Sequence, residues 1–368
     1  MALYIGLMSG TSLDAIDASL VDISNNQTVL KNSVSHTIPS VLKQKILKLI
    51  SAKGEDTIDL LGEVDAQLGI LFADACNQLI KDSSLNAKDI KAIGSHGQTI
   101  RHRPENELAF SLQIGDASRI AELTGITTVT DFRRRDIAAG GQGAPLVPAF
   151  HRAIFHSENE HRCIVNIGGM ANISYLPKNN KKNTSGFDTG PGNVLLDSWC
   201  QQQTGKPYDK NGDWARSGNV SKKLLGSMLE DTYFSQSAPK STGREHFNSD
   251  WLDRHINSNS EPAENIQASL TDLTAKTIVD AIETYFPETE RLIVCGGGSY
   301  NHYLNERLSH FANNKPVQSS SYFGMAPDWV EAAAFAWLAH CTLNNITANE
   351  PAVTGAHSRV VLGAIYPA

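Results

Sequence analysis

Apolar positions along this chain switch between alternation and helical spacing, and the switches mark out its elements. Leu3-Tyr4-Ile5-Gly6-Leu7 is a short apolar run that stops at Ser9-Gly10-Thr11-Ser12. Beyond that turn Ile16, Ala18 and Leu20 alternate with other residues, so the opening reads as a β-hairpin. Residues 29–37 offer a third strand. Over 58–80 the period changes, and Leu61, Val64, Leu68, Leu71, Phe72 and Leu79 fall on one helical face. Short strands at 92–94 and 111–114 end in Ser95-His96-Gly97-Gln98 and Gly115-Asp116, with Asp116 placed to cap a helix reaching about Leu123. Further helices are predicted over 264–286, stopped by Pro287, and over 328–343, opened by Asp328 after Pro327; residues 359–365 form a last strand. Gly140-Gly141-Gln142-Gly143-Ala144-Pro145 reads as a crossover between domains, and 178–184 as an exposed hairpin tip.

Three strands run directly into glycine-rich turns: the first at Gly10, the second at Asn166-Ile167-Gly168-Gly169, the third at Cys295-Gly296-Gly297-Gly298-Ser299. Glycine lets the backbone approach a ligand closely and aims successive N–H groups at it. Three such turns, far apart in sequence, suggest two halves closing on one polyphosphate. The pattern restarts at Ile164, as expected if a second domain repeats the first.

Length and composition fit that picture. At 368 residues, with 40% hydrophobic and 19% charged, the chain has room for two globular domains. No apolar run approaches a membrane span, and no export signal is visible at the N-terminus. Five scattered cysteines without a Cys-x-x-Cys pair fit reduced thiols in the cytoplasm and support neither structural zinc nor a redox dithiol. A net charge of −7 argues against a nucleic-acid binder, and anionic ligands would need locally concentrated cations.

Arg133-Arg134-Arg135 supplies such a concentration, either as a solvated strand end or with one guanidinium turned into a site. In the first turn, Asp14 and Asp17 are candidates for magnesium, directly or through water, or else ordinary hairpin residues. The string Gly186-Phe187-Asp188-Thr189-Gly190-Pro191-Gly192-Asn193 holds a carboxylate among residues that fix the backbone. Asp188 reads as a general base, since a helix cap does not require Gly, Pro and Gly together. His96 is a possible donor to a substrate oxygen. His151, His156 and His161, five apart, do not share a helical face and make no metal site. A P-loop, the protein-kinase signatures and Gly-x-Ser-x-Gly are all absent.

Taken together, Met8-Ser9-Gly10-Thr11-Ser12-Leu13-Asp14, Ser95-His96-Gly97-Gln98-Thr99, Gln113-Ile114-Gly115-Asp116, Asp131-Phe132-Arg133, Asn166-Ile167-Gly168-Gly169-Met170-Ala171-Asn172, Phe187-Asp188-Thr189-Gly190-Pro191-Gly192-Asn193 and Asp328-Trp329-Val330-Glu331-Ala332 resemble the anhydro-N-acetylmuramic acid kinase family. The likeness extends over essentially the whole chain; Ala15 stands where the family often has glycine. It implies an α/β, two-domain actin-like ATPase fold, each domain a mixed sheet flanked by helices around a central cleft, with domains at 1–130 plus 345–368 and at 131–344. It also implies a kinase that opens 1,6-anhydro-N-acetylmuramic acid with water and phosphorylates it from ATP, in peptidoglycan recycling. On that reading Asp188 is catalytic, and His96, Arg133 and Glu331 bind the sugar. ATP meets Gly10, Thr11, Ser12, Leu13, Asp14, Ala15, Ile16, Asp17, Asn166, Gly168, Gly169, Gly296, Gly297 and Gly298, with magnesium at Asp14 and Asp17. The implied partners are the sugar and ATP, without nucleic acid or membrane, in a cytoplasmic homodimer. Rival readings are an ordinary amino-sugar kinase, an actin-like filament or chaperone, and a metal-dependent protease or carbamoyl transferase of the same superfamily; the last would want a His-x-x-x-His pair, which does not occur.

Overall fold

The computed structural model describes residues 1–10, 13–24, 27–51, 57–179, 184–256 and 261–368. In chain order its strands are β1 (Leu3–Ser9), β2 (Ala15–Ser24), β3 (Gln27–Thr37), β4 (Ile90–Ser95), β5 (Gln98–Arg103), β6 (Phe110–Ile114), β7 (Thr128–Thr130), β8 (Arg162–Ile167), β9 (Met170–Leu176), β10 (Ser185–Pro191), β11 (Arg291–Cys295), β12 (Val317–Ser319) and β13 (Ala364–Tyr366). Contacts divide the chain into two compact units, Met1–Ile154 with Trp329–Ala368, and Phe155–Asp328.

The first unit is built on a mixed sheet in the order β13-β7-β4-β1-β2-β3, with β5 and β6 paired separately. Strands β1, β2 and β3 are antiparallel neighbours, whereas β4 runs parallel to β1 and β7 parallel to β4. Central β1 is almost wholly buried, so it is an apolar run and not an alternating strand. One group of contacts comes from the helix Ile58–Asp82, which sets Val64, Leu68, Phe72, Ala75 and Leu79 in a core with Leu3, Ile5, Leu7, Ile16 and Leu20. Thr57 caps that helix, its hydroxyl accepting from the N–H of Leu60 at 3.2 Å. Each such fully buried leucine or phenylalanine contributes about 2 kcal/mol.

A second helix, Val330–Leu343, lies against the same sheet in near backbone contact. A Cβ on Gly6 would stand 1.8 Å from the carbonyl oxygen of Ala332, and one on Gly94 1.9 Å from that of Phe335. Glycine in β1 and β4, with alanine at 332, 333, 334, 336 and 339 of the helix, removes the side chains that would hold them apart.

The second unit repeats the plan. Its sheet runs β10-β9-β8-β11-β12, with β8, β9 and β10 antiparallel and with β11 and β12 parallel to β8 and β11 respectively. That matches β3-β2-β1-β4-β7 strand for strand in order and direction. The helix Ala263–Tyr285 is buried almost all round because it serves two cores. Its second half meets Val165, Ile173, Tyr175 and Phe187 through Ala275, Ile278 and Ile282; its first half meets Trp199, Met228 and Trp251 through Ile266, Leu270 and Leu273.

Several elements differ in extent from the pattern-based expectation. The last long helix begins at Val330, because Pro327–Trp329 forms a separate 3-10 turn. The final strand is only Ala364–Tyr366, paired with the short β7. The segment 140–145 lies inside the first unit, sewn to residues 349–357 by hydrogen bonds such as Gln142 N to Thr354 O, 2.8 Å. Contacts separate the units after Ile154 and Asp328, where 130 and 344 are expected, since the Val330–Leu343 helix rests on β1 and β4. Residues 180–183 of the expected hairpin tip lie outside the described residues. All five cysteines are free and buried, and no described helix is long and apolar enough to cross a membrane.

The glycine contacts give a paired test. Gly94→Ala should lower stability by at least about 2 kcal/mol in urea unfolding, since neither backbone can yield. Gly226→Ala, within the helix Lys222–Leu229 with nothing inside 4 Å of its Cβ, should raise it by up to about 1 kcal/mol.

Candidate active site

In the first unit the candidate residues 10–17 run from the end of β1 into the start of β2. Thr11 and Ser12 lie outside the described residues. Gly10 has open space where a Cβ would be, and Leu13 sits at a positive φ of 55°. The side chains of Leu13 and Ile16 are buried in the core, so these two can offer a ligand only their backbone; Ala15 is half-buried beside them. Asp14 is exposed and pairs with Lys43 Nζ at 2.8 Å, while Asp17 accepts from Ser35 Oγ at 2.9 Å. Among the described residues no group of three acidic, histidine or cysteine side chains gathers into a metal cluster. A magnesium ion held mainly by phosphates takes only one or two carboxylates, which this pair can supply.

His96, Arg133 and Glu331 come together in the same unit. His96 follows β4, and its N–H donates to the Leu7 carbonyl at 3.0 Å. Its ring lies 4.7 Å from that of Phe335, on the helix whose first turn holds Glu331. Arg133 donates from Nε and Nη2 to His96 Nε2 at 3.2 and 2.9 Å, and from Nη1 to the Gly143 carbonyl at 2.8 Å. Two donors on Nε2 leave the imidazole proton on Nδ1. Burial and then the Arg133 charge hold His96 well below the usual histidine range, with the Gly97 backbone opposing weakly. Nδ1 is buried and reaches no hydrogen-bond partner among the described residues. It is therefore a neutral, fixed N–H donor, with the Gly97 backbone its one polar influence among the described residues. Burial lowers Arg133 to about 10, with Glu331 opposing, so it remains cationic at neutral pH. Of the three adjacent arginines only this one is drawn in; Arg134 and Arg135 are exposed, Arg134 lying 3.5 Å from Asp131.

In the second unit three turns interlock. Gly168 and Gly169 join β8 to β9, and the helix Asn193–Thr204 starts against them. Gly192 N donates to Gly169 O at 2.9 Å, and Asn193 N to Gly168 O at 2.8 Å. A Cβ on Gly192 would stand 2.4 Å from Gly168 O, and one on Gly298 2.3 Å from the Ile167 side chain. Gly296, at φ 77°, would collide with Asn166 Oδ1 at 2.5 Å. The outward sides are open by contrast: Gly168 would meet only Met170 O at 3.6 Å, Gly169 only Arg244 Nη2 at 3.9 Å, and Gly297 only Asn193 Nδ2 at 3.9 Å. Asn166, Gly168, Gly169, Gly296, Gly297 and Gly298 thus belong to one locus. A cavity of about 500 Å³ adjoins it, lined by Asn193, Asp197, Tyr208, Gly297, Tyr300 and Asp328 among others.

Asp188 sits on β10 of this unit, where the pairing with β9 slips between Asp188 and Gly190. Such a bulge re-aims a side chain. Gly190 takes φ 150° there, and a Cβ would stand 2.8 Å from the Phe234 ring. With Gly192 against Gly168, this is why the string needs both glycines. Asp188 is gripped on its backbone and side chain. Its N–H donates to Lys240 O at 3.1 Å, its carbonyl accepts from Tyr233 Oη at 2.6 Å, and Oδ2 accepts from Thr242 N at 3.1 Å. Burial lifts its carboxyl to about 6, the Thr242 N–H opposing. Such a group is ionised at neutral pH yet basic enough to accept a proton. Asp197, one helical turn after Asn193, is likewise lifted by burial to about 6, with Arg244 opposing. Asp197, Arg244 and the residues 208–211 of the cavity wall escaped the sequence reading; only the Asn193–Asp197 spacing of four behind a glycine turn hinted at them.

The profile of the family described as anhydro-N-acetylmuramic acid kinase matches residues 2–368. The chain is 49% identical to the protein of that name from Saccharophagus degradans, over 99% of both chains. It is 48% identical to that from Xylella fastidiosa over 100% of this chain and 96% of the other, and 48% to that from Pasteurella multocida over 99% and 96%. Among solved structures, component A of (R)-2-hydroxyglutaryl-CoA dehydratase from Acidaminococcus fermentans is similar at 12% identity and TM-score 0.48, covering 92% of this chain and 98% of that one. With matches of this extent and identity along its full length, the chain belongs to the anhydro-N-acetylmuramic acid kinase family.

Proposed function

We propose that this chain opens 1,6-anhydro-N-acetylmuramic acid with water and transfers the γ-phosphoryl group of ATP to the released O6, giving N-acetylmuramic acid 6-phosphate in peptidoglycan recycling. Family membership supports the reaction, and the setting of Asp188 carries the mechanism. In the anhydro sugar O6 is an ether oxygen with no proton to lose. Asp188 takes a proton from water as that oxygen attacks the anomeric carbon. The C1–O6 bond breaks, its electron pair stays on O6, and O6 displaces ADP from the γ-phosphorus. Each atom is thereby accounted for, and one base suffices.

The remaining residues position and neutralise. The open faces of Gly168, Gly169 and Gly297 suit phosphate oxygens, and the adjoining cavity is large enough for a nucleoside. Asp14 and Asp17 would hold magnesium, directly or through water, to offset phosphate charge. His96 Nδ1–H offers one donor to a sugar oxygen. Arg133 has its Nε edge engaged by His96, so a carboxylate such as the lactyl group would meet the Nη1–Nη2 end. A cytoplasmic location and a homodimer belong to the same reading, and sedimentation velocity checks the latter.

Turnover in heavy-oxygen water should label the anomeric hydroxyl of the sugar phosphate, read by mass spectrometry before anomeric exchange. Label found only in phosphate would overturn the reading. An ordinary amino-sugar kinase would release ADP with N-acetylglucosamine, which this chain should not.

Asp188→Asn should reduce kcat by about 10²–10⁴. In the wild type kcat/KM should fall as pH drops through about 6, where the base becomes protonated. The same carboxyl should weaken the fold. Its folded-state value is raised above 3.8, so stability declines as pH rises from about 4 to 6, and the full penalty remains above 6. At pH 7.5 Asp188→Asn should therefore unfold at higher urea than the wild type, by on the order of 2 kcal/mol. A variant that is both active and no more stable would refute this assignment.

A further inference from the structure

The loop 140–143 lies within the first unit, and its Gly141 and Gly143 answer to one buried carboxylate. Asp136, wholly buried, accepts from Gly143 N through Oδ2 at 2.8 Å. Oδ1 accepts from Asn349 Nδ2 and Thr354 Oγ1, both at 2.8 Å. Asn349 is itself fixed by Val360 N, which donates to its Oδ1 at 2.8 Å. Gly141 must be glycine, because a Cβ would stand 2.2 Å from Asp136 Oδ2. Gly143, at φ 70°, then presents its N–H to Asp136 and its carbonyl to Arg133 Nη1. A continuous chain of short hydrogen bonds therefore runs from residues 349 and 354 through Asp136 and Gly143 to Arg133, and ends on His96 Nε2.

We propose that Asp136 is a positioning residue for the sugar site, fixing through the Gly143 peptide the direction of the Arg133 guanidinium and, through it, the Nδ1–H tautomer of His96. The proposal rests on the reading that Arg133 and His96 meet the sugar. A buried carboxylate that accepts three hydrogen bonds has no neutral isostere with the same pattern. An amide, whichever way it is turned, puts a donor against Gly143 N or against Asn349 Nδ2. The Gly143 peptide then turns or retreats, and Arg133 loses the acceptor that sets its third direction. Arg133 then keeps its His96 contact and the Glu331 charge but loses the acceptor on Nη1, a softer arrangement for a side chain with so many rotamers.

The test uses the full chain with ¹⁵N-labelled histidine, the His96 signals being assigned by their loss in His96→Gln. Two variants are compared with wild type: Asp136→Asn, which changes the acceptor pattern, and Gly141→Ala, which keeps the carboxylate but pushes it off position. In both, the His96 Nε2 resonance should move downfield as its donors withdraw. KM for the sugar should rise on the order of tenfold while KM for ATP stays within about twofold. Folded variants whose His96 signals coincide with wild type, or whose two KM values rise together, overturn the proposal. Arg133→Ala separates the two ideas. If it leaves the sugar KM unchanged while Asp136→Asn still shifts the His96 signals, the sugar-binding reading is wrong and the positioning of Arg133 stands.

Discussion

Backbone packed on backbone, closer than any Cβ permits, is the constraint on which both units depend. Gly6 and Gly94 let the alanine-rich helix Val330–Leu343 settle on β1 and β4, and that helix carries Glu331 and the Phe335 ring beside His96. Gly192 against the Gly168 carbonyl, helped by Gly298 against the Ile167 side chain, draws the turns of the second unit into one locus. Glycine costs conformational entropy wherever it occurs. It is retained at these positions because a methyl group would separate elements whose spacing defines the site.

Removal from water then sets the chemistry of individual groups. His96 is buried beside a cation and stays neutral; Asp188, half-buried beside one peptide N–H, becomes more basic than an ordinary aspartate. Neither shift needs an opposite charge: depth drives both, helped at His96 by the Arg133 cation and opposed at Asp188 by the Thr242 N–H. The buried His96 N–H, without a geometric hydrogen-bond partner among the described residues, and the desolvated charge on Asp188 cost folding free energy, and sites that act on ligands commonly carry such costs.

Much of this was legible in the chain itself. The helices at 58–82 and 263–285 announced themselves through apolar spacing, and the strand-then-glycine turns of the second unit marked residues that the fold brings together. The Gly-Pro-Gly string at 190–192 proved to need both glycines for a bulge and for a close approach. What stayed hidden was long-range. Arg133 stands out from Arg134 and Arg135 only because His96 and Gly143 lie within reach. The loop 140–145 looked like a linker because its anchors, Asn349 and Thr354, are more than two hundred residues away. Leu13 and Ile16 sit among residues expected to meet a ligand yet are buried in the core: Ile16 because β2 sends neighbours to opposite faces, Leu13 from the turn before it at a φ of 55°.

The five sequestered thiols have a practical corollary. Burial pushes Cys76 and Cys163 far up and Cys341 to about 12, so these three thiols hold hardly any thiolate at neutral pH, and all five lie away from solvent. Alkylation by a maleimide must then wait for an opening fluctuation, and its rate becomes a clock for local unfolding. Cys76 and Cys341 time the first unit, Cys163, Cys200 and Cys295 the second. The molecule carries its own probes for asking which half loosens first.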